Sequence, residues 1–235
     1  MRRNGPDGIR IAVERTGRRK TASIRVDNGR VRVLVPRFLP EREIDALIAR
    51  RMEWIRETVR VHAGLSRARE RQYADGEPFE YLGRRYRLQI VTGSAGRAKL
   101  VRGRLRVELV DGLDAEGRAA AIRERLSAWY AARALDRLRE KTERYASVLR
   151  VAPPTVVVKA CESRWGSCSS SGKVMFNWKV IMAPDPIVDY VVVHELCHLL
   201  EHNHSPAYWR LVERVIPDYR ARRRWLRENG HRFDV

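Results

Sequence analysis

The sequence predicts an α+β fold: a β-rich N-terminal region with amphipathic helices, then a mainly helical unit with a short sheet beside one histidine-bearing helix. Three observations lead there. GIRIAVER, TASIRVD and RVRVLV alternate apolar and polar residues, as half-buried strands do. From Glu41 the apolar period changes to three and four, the spacing of one helix face. After Pro154 short strand-like runs give way to segments opened by Asp185-Pro186 and Ser205-Pro206, which are helix-start signals.

In chain order, Asp27-Asn28-Gly29-Arg30 is a tight-hairpin signal between the second and third strands. Ile44, Leu47, Ile48, Met52 and Ile55 mark a helix from Glu41 to about Val61, and the polar stretch from Leu65 to Gly76 reads as a connection. Strands return with FEYL, YRLQIV, AKLV and RLRVELV. A long helix follows from an Asp114 N-cap to about Leu149, its buried stripe marked by Ile122, Leu126, Trp129, Leu135, Leu138 and Tyr145. VVVKAC is a short buried strand, and Gly166 and Ser169–Gly172 suggest a turn between further short strands. Asp185, Ser205 and Asp218 then read as the N-caps of three further helices, the last ending near Gly230. The repeated pattern Gly29-Arg30-Val31-Arg32-Val33 and Gly103-Arg104-Leu105-Arg106-Val107 suggests two ββα units. We expect a basic, β-rich region over 1–113 and a second domain over 114–235.

The chain carries 48 basic and 29 acidic residues, and residues 1–110 hold 27 of the cations against 13 acids. Such a surface suits nucleic acid or another phosphate-bearing partner. Yet 42 of the cations are arginines spread over every segment, and no aromatic-basic platform for single strands stands out. No apolar run reaches the length of a membrane span, and the start MRRNGPDGIR has no apolar signal core. Three cysteines, Cys161, Cys168 and Cys197, do not make a secreted disulfide framework. A cytoplasmic protein is the expectation; the oligomeric state is not legible.

Four of the six histidines fall within VVVHELCHLLEHNHSPAYW. His194-Glu195-Leu196-Cys197-His198 is HExxH, which puts two imidazoles on one helix face with a glutamate beside them. His202 continues the same row, but eight residues of helix span about 12 Å, too far for one ion to touch both His194 and His202. Glu201 fails likewise. A third ligand needs the chain to turn back. Asn203 suits a left-handed helix end, Ser205-Pro206 starts a new helix, and His204 then returns to the site. This spacing matches the third ligand of the metzincin pattern, although Glu201 stands where that pattern has glycine. We therefore expect one Zn2+ on His194, His198 and His204 with water as fourth ligand, three imidazoles favouring that metal. Cys197 reads as a buried thiol.

SRWGSCSSSGKVMFNW (Ser163–Trp178), IVDYVVVHELCHLLEHNHSPAYW and IPDYRARRRWL closely resemble the YgjP-like metallopeptidases, zincins related to the SprT-like and WLM proteases. The resemblance extends upstream to RRKTASIRVDNGRVRVLVP and YLGRRYRL, and so covers most of the chain. It implies zinc on His194, His198 and His204, Glu195 as general base, and RWGSC as a strand beside the active-site helix. The zinc-activated water would attack a peptide bond of a peptide or unfolded protein.

Arg164, Asn177, Tyr190, His202 and Tyr208 are all candidates for stabilising the oxyanion, and Trp165 and Trp178 read as packing residues. Three rival readings stand beside the peptidase. Cys161 and Cys168 could point to a closed structural zinc site, in which the motif's glutamate would be idle. A zinc hydrolase of a phosphate-bearing substrate such as a nucleotide would suit the basic charge. So would a DNA-associated protease, whose DNA binding would weaken steeply with salt.

Overall fold

The computed structural model describes residues 2–4, 8–17, 22–27, 30–67, 71–94, 96–161, 164–169 and 171–235. The chain is α+β and forms two compact units, Met1–Glu70 and Arg71–Val235.

In the first unit, β1 (Arg2–Asn4), β2 (Arg10–Thr16), β3 (Ser23–Asp27) and β4 (Arg30–Pro36) form one sheet in the order β1-β2-β4-β3. β2 and β4 run parallel with Ile11 opposite Val31 and Val13 opposite Val33, which puts alternate apolar residues on one face. Asp27 pairs with Arg30, as a two-residue hairpin requires; Asn28 and Gly29 themselves lie outside the described residues. Helix α1 (Glu41–Arg67) covers the sheet with Ile44, Ile48 and Ile55. It runs past the expected end at Val61 into the stretch read as a connection.

The second unit begins with the same topology. β5 (Pro78–Tyr81), β6 (Arg84–Thr92), β7 (Lys99–Val101) and β8 (Arg104–Leu109) are ordered β5-β6-β8-β7, again with a parallel central pair. The repeat is thus four strands and a helix, larger than the ββα unit the Gly-Arg pattern suggested. Its helix is α2 (Ala115–Leu149), capped by the Asp114 carboxylate accepting from Gly117 N–H at 2.8 Å. Ile122, Leu126, Trp129, Leu138 and Tyr145 are buried along it, and Leu135 is partly so.

The compact units divide at Glu70/Arg71, whereas the sequence suggested a division at Asp114. The reason is long-range packing of β5–β8. The Tyr130 hydroxyl on α2 donates to Glu80 O at 2.7 Å, and Leu82 N–H donates to Ile181 O at 2.8 Å. Gly83, at φ +76°, lies so close to Pro184 that a Cβ there would approach its Cα to 2.9 Å. The second sheet therefore shares one core with the histidine-bearing helix.

That core continues through β9 (Val156–Lys159), β10 (Gly166–Cys168) and β11 (Val174–Asn177), ordered β10-β11-β9 with β10 at the edge. A 3-10 turn over Trp178–Met182 leads to α3 (Asp185–Cys197), followed by α4 (Pro206–Val215) and α5 (Tyr219–Asn229). α3 is apolar nearly all round, with Ile187, Val188, Val191, Val192, Val193 and Leu196 buried, so it runs through the core. Its N-cap is Pro184, not Asp185 as expected. The Asp185 carboxylate is drawn instead to Lys141 Nζ at 2.8 Å, and the same ammonium meets Asp189 at 2.6 Å. Lys141 is 3% exposed, so its buried ammonium, held by two partly exposed carboxylates, ties α2 to α3. Ser205 caps α4 as expected, its hydroxyl accepting from Tyr208 N–H at 3.2 Å. Asp218 precedes α5 but makes no capping bond; its carboxylate pairs with Arg222. Among the described residues no helix is long and apolar enough to cross a membrane.

Candidate metal centre

α3 ends sooner than the sequence suggested. Cys197 is its last residue, His198 is its C-cap, and Leu199 and Leu200 bond back three residues in tight turns. Asn203 is not among the left-handed residues, contrary to expectation. The reversal is made by Ser205 N–H donating to Asn203 O at 2.7 Å, a γ-type step, just before the Ser205 cap. This returns His204 to the helix. His202 stays exposed in the loop.

The imidazoles of His194, His198 and His204 converge, each offering a nitrogen within 4.8 Å of the other two. His194 Nε2 and His204 Nε2 are 3.3 Å apart. Two nitrogens at about 2.05 Å from one tetrahedral ion would be separated by about 3.3 Å. The donor set therefore fits a single small cation.

Hydrogen-bond bookkeeping fixes two of the rings. The Tyr208 hydroxyl lies 2.7 Å from both His194 O and His194 Nδ1. It has one hydrogen, and the carbonyl can only accept, so it donates there and accepts from Nδ1–H. His198 Nδ1 lies 3.2 Å from Glu201 O, which again requires Nδ1–H. Both rings are left with Nε2 lone pairs free, the arrangement a metal ligand needs. Burial, and then the neighbouring His204, His198 and Arg223, hold the His194 pKa down to about 3. His204 is lowered too, by burial first.

Glu195 is 5% exposed, and burial pushes its carboxyl up to about 8 against the pull of the Arg164 guanidinium. Gly166 of β10 lies directly against it. A Cβ there would sit 2.5 Å from Glu195 Oε1 and 2.6 Å from Cγ. The glycine of RWGSC is thus a close-approach residue, and the strand does pack beside α3.

His194, His204, Glu195 and Gly166 line a cleft of about 620 Å³, bordered also by Trp165, Tyr190, Trp209 and the arginines 164, 223 and 227. Of the residues considered for the oxyanion, Arg164 and Tyr190 reach the cleft, and burial raises the Tyr190 pKa to about 12. Asn177 is occupied structurally: its amide donates to Cys161 O at 2.6 Å and its oxygen caps the following turn. Tyr208 is spent on His194, and burial pushes its pKa well up. Trp178 is packing, stacked on Tyr130 at 5.9 Å. Trp165 packs on Phe233 and also walls the cleft. Trp209, Arg223 and Arg227 were not singled out from the sequence. Cys197 is buried, and among the described residues neither Cys161 nor Cys168 joins the three histidines.

The crystal structure of the metallopeptidase zymogen of Pyrococcus abyssi abylysin is similar over 40% of this chain and 95% of its own, with 22% identity and a TM-score of 0.37. No curated protein matches the chain. The sequence model of the YgjP-like metallopeptidase domain matches residues 20–229, nearly the whole length and both compact units. The chain belongs to the YgjP-like metallopeptidase family.

Proposed function

We propose that this metallopeptidase is zinc-dependent, with His194, His198 and His204 holding one Zn2+ and Glu195 serving as general base in peptide-bond hydrolysis. The observation that carries the reading is the meeting of three imidazoles, two with Nε2 left free, beside a buried carboxylate in an open cleft. Zinc, when bound, supplies the Lewis acidity that polarises a scissile carbonyl and acidifies a water. Glu195 takes the proton from the attacking water and hands it to the leaving amine. Tyr208 holds the His194 ring, and Tyr190 is the chain's own candidate donor to the developing oxyanion. β10 pairs on one side with β11, and Gly166 lines the cleft, so an extended peptide can add to the strand's other edge.

The test compares zinc-loaded protein with its Glu195→Gln variant on an unfolded protein substrate, with and without single-stranded DNA. Cleavage by the first, lost in the second while both hold one zinc, is the expected result. Stimulation by DNA would assign a role to the basic charge. If neither protein cuts while both bind zinc, the peptide-bond assignment falls and a nucleotide becomes the substrate to try.

A further inference from the structure

Resting on the peptidase reading above, we infer that the cleft selects peptides bearing a carboxylate close to the scissile bond, recognised by Arg164, Arg223 and Arg227.

The placement of the arginines carries this. Arg223 and Arg227 are four apart on α5, share one helix face, and both line the cleft. Arg164 enters from the segment leading into β10. α5 divides its cations by face. Arg220 is paired with Glu213 at 2.7 Å and Arg222 with Asp218 at 2.8 Å, away from the cleft lining. Among the described residues, no carboxylate makes an ion pair with Arg164, Arg223 or Arg227. Three guanidiniums thus face a cavity whose lining includes one carboxylate, Glu195.

Arg223 is held near the histidines. Its Cζ lies 4.9 Å from the Trp209 ring centroid, and Trp209 is stacked on His204 at 5.5 Å. A guanidinium two ring contacts from a candidate ligand can meet a substrate group only one or two residues from the reacting bond. Arginine presents a planar fork of donors that matches a carboxylate bidentately, and a cleft of one sign concentrates ligands of the other. An Asp or Glu side chain and the α-carboxylate of a chain end offer the same chemistry.

The experiment uses the full zinc-loaded chain and acetylated, amidated peptides that differ only in Ala, Glu or Lys beside the scissile bond. A further Ala peptide ends in a free carboxylate at that distance. The readout is the ratio of kcat/KM values within one preparation, so incomplete loading or folding cancels. We expect Glu to exceed Ala by roughly ten- to hundredfold, on the scale of a charge-assisted contact. The ratio should fall towards one in Arg223→Gln/Arg227→Gln and turn towards Lys in Arg227→Glu. Preference for the free end over internal Glu would identify the carboxylate as the chain terminus, and equal use would identify it as either source. Equal cleavage of the Ala, Glu and Lys peptides by the wild type, or a Glu preference that survives in the double variant, overturns the inference while leaving the peptidase intact. Hydrolysis of a nucleoside triphosphate with no cleavage of any peptide overturns both.

Discussion

Replacing Gly166 by alanine should silence the enzyme without touching a metal ligand. Gly166 is not at positive φ, so alanine suits the backbone and the effect is steric alone. The added methyl would stand 2.5 Å from Glu195 Oε1, 2.6 Å from Cγ and 2.7 Å from Cδ. Contacts that short do not persist, and because Cγ is among them the whole Glu195 side chain must swing aside, not its tip. Overpacking of this kind costs about 1–3 kcal/mol of stability. Displacing a general base costs about 100- to 10,000-fold in rate. The assay is kcat on an unfolded protein substrate, with zinc stoichiometry and thermal stability measured on the same samples. Activity near zero with one zinc retained is expected. Near-wild-type kcat with zinc bound would refute the idea that Gly166 holds Glu195 in its working position. Loss of zinc together with activity would refute it differently, by showing that the methyl displaces the helix and its histidines.

Three further outcomes follow from the same geometry. Tyr208→Phe removes the acceptor for His194 Nδ1–H and should weaken zinc about 10- to 100-fold in a chelator competition. Lys141→Met strips Asp189 of its buried partner and should cost about 3 kcal/mol in denaturant unfolding. In zinc-free protein, His194, depressed to about 3 from an ordinary 6.5, contributes stability above 6.5 that is lost as pH falls through that window. Glu195, raised to about 8 from 4.5, contributes stability below 4.5 that is lost as pH rises towards 8. The Glu195 slope opposes those of His194 and of His204, also lowered, between 4.5 and 6.5, so it cancels part of the rise of wild-type stability with pH there. In Glu195→Gln stability should rise more steeply with pH, His194 alone contributing up to about 1.4 kcal/mol per unit, read by unfolding at a series of pH values.

Elements governed by local signals were legible in the sequence. Asp114 caps α2, Ser205 caps α4, and the strand alternation of β2 to β4 sets the register in which Val31 and Val33 face Ile11 and Val13. The nearness of His194 and His198 follows from four-residue spacing alone. What escaped was decided at a distance. Leu199, Leu200 and Glu201 are good helix formers, yet α3 stops at Cys197, and the turns after it are what leave Glu201 O facing His198 Nδ1. Asp185 looked like a cap because its ion-pair partner, Lys141, is far away in sequence. The strands β5–β8 resemble β1–β4 locally, and only contacts such as Tyr130 to Glu80 decide that they belong with the histidines. Arg223 and Arg227 could not be told from surface cations until α5 had a neighbour.

The RWGSC and HELCH stretches lie far apart in sequence but answer to one constraint. A helix can present two imidazoles by spacing, yet the glutamate between them points along another direction and would be free to choose among rotamers in open solvent. Here it is 5% exposed, because an edge strand comes so near that only glycine fits at the point of approach. If an extended chain adds to the outer edge of that strand, as proposed, what confines the carboxylate also lines up the peptide bond it would serve. A larger residue at 166 would therefore disturb the proposed base and the proposed docking edge together. For that reason the glycine, which carries no chemistry of its own, belongs to the site as much as the histidines do.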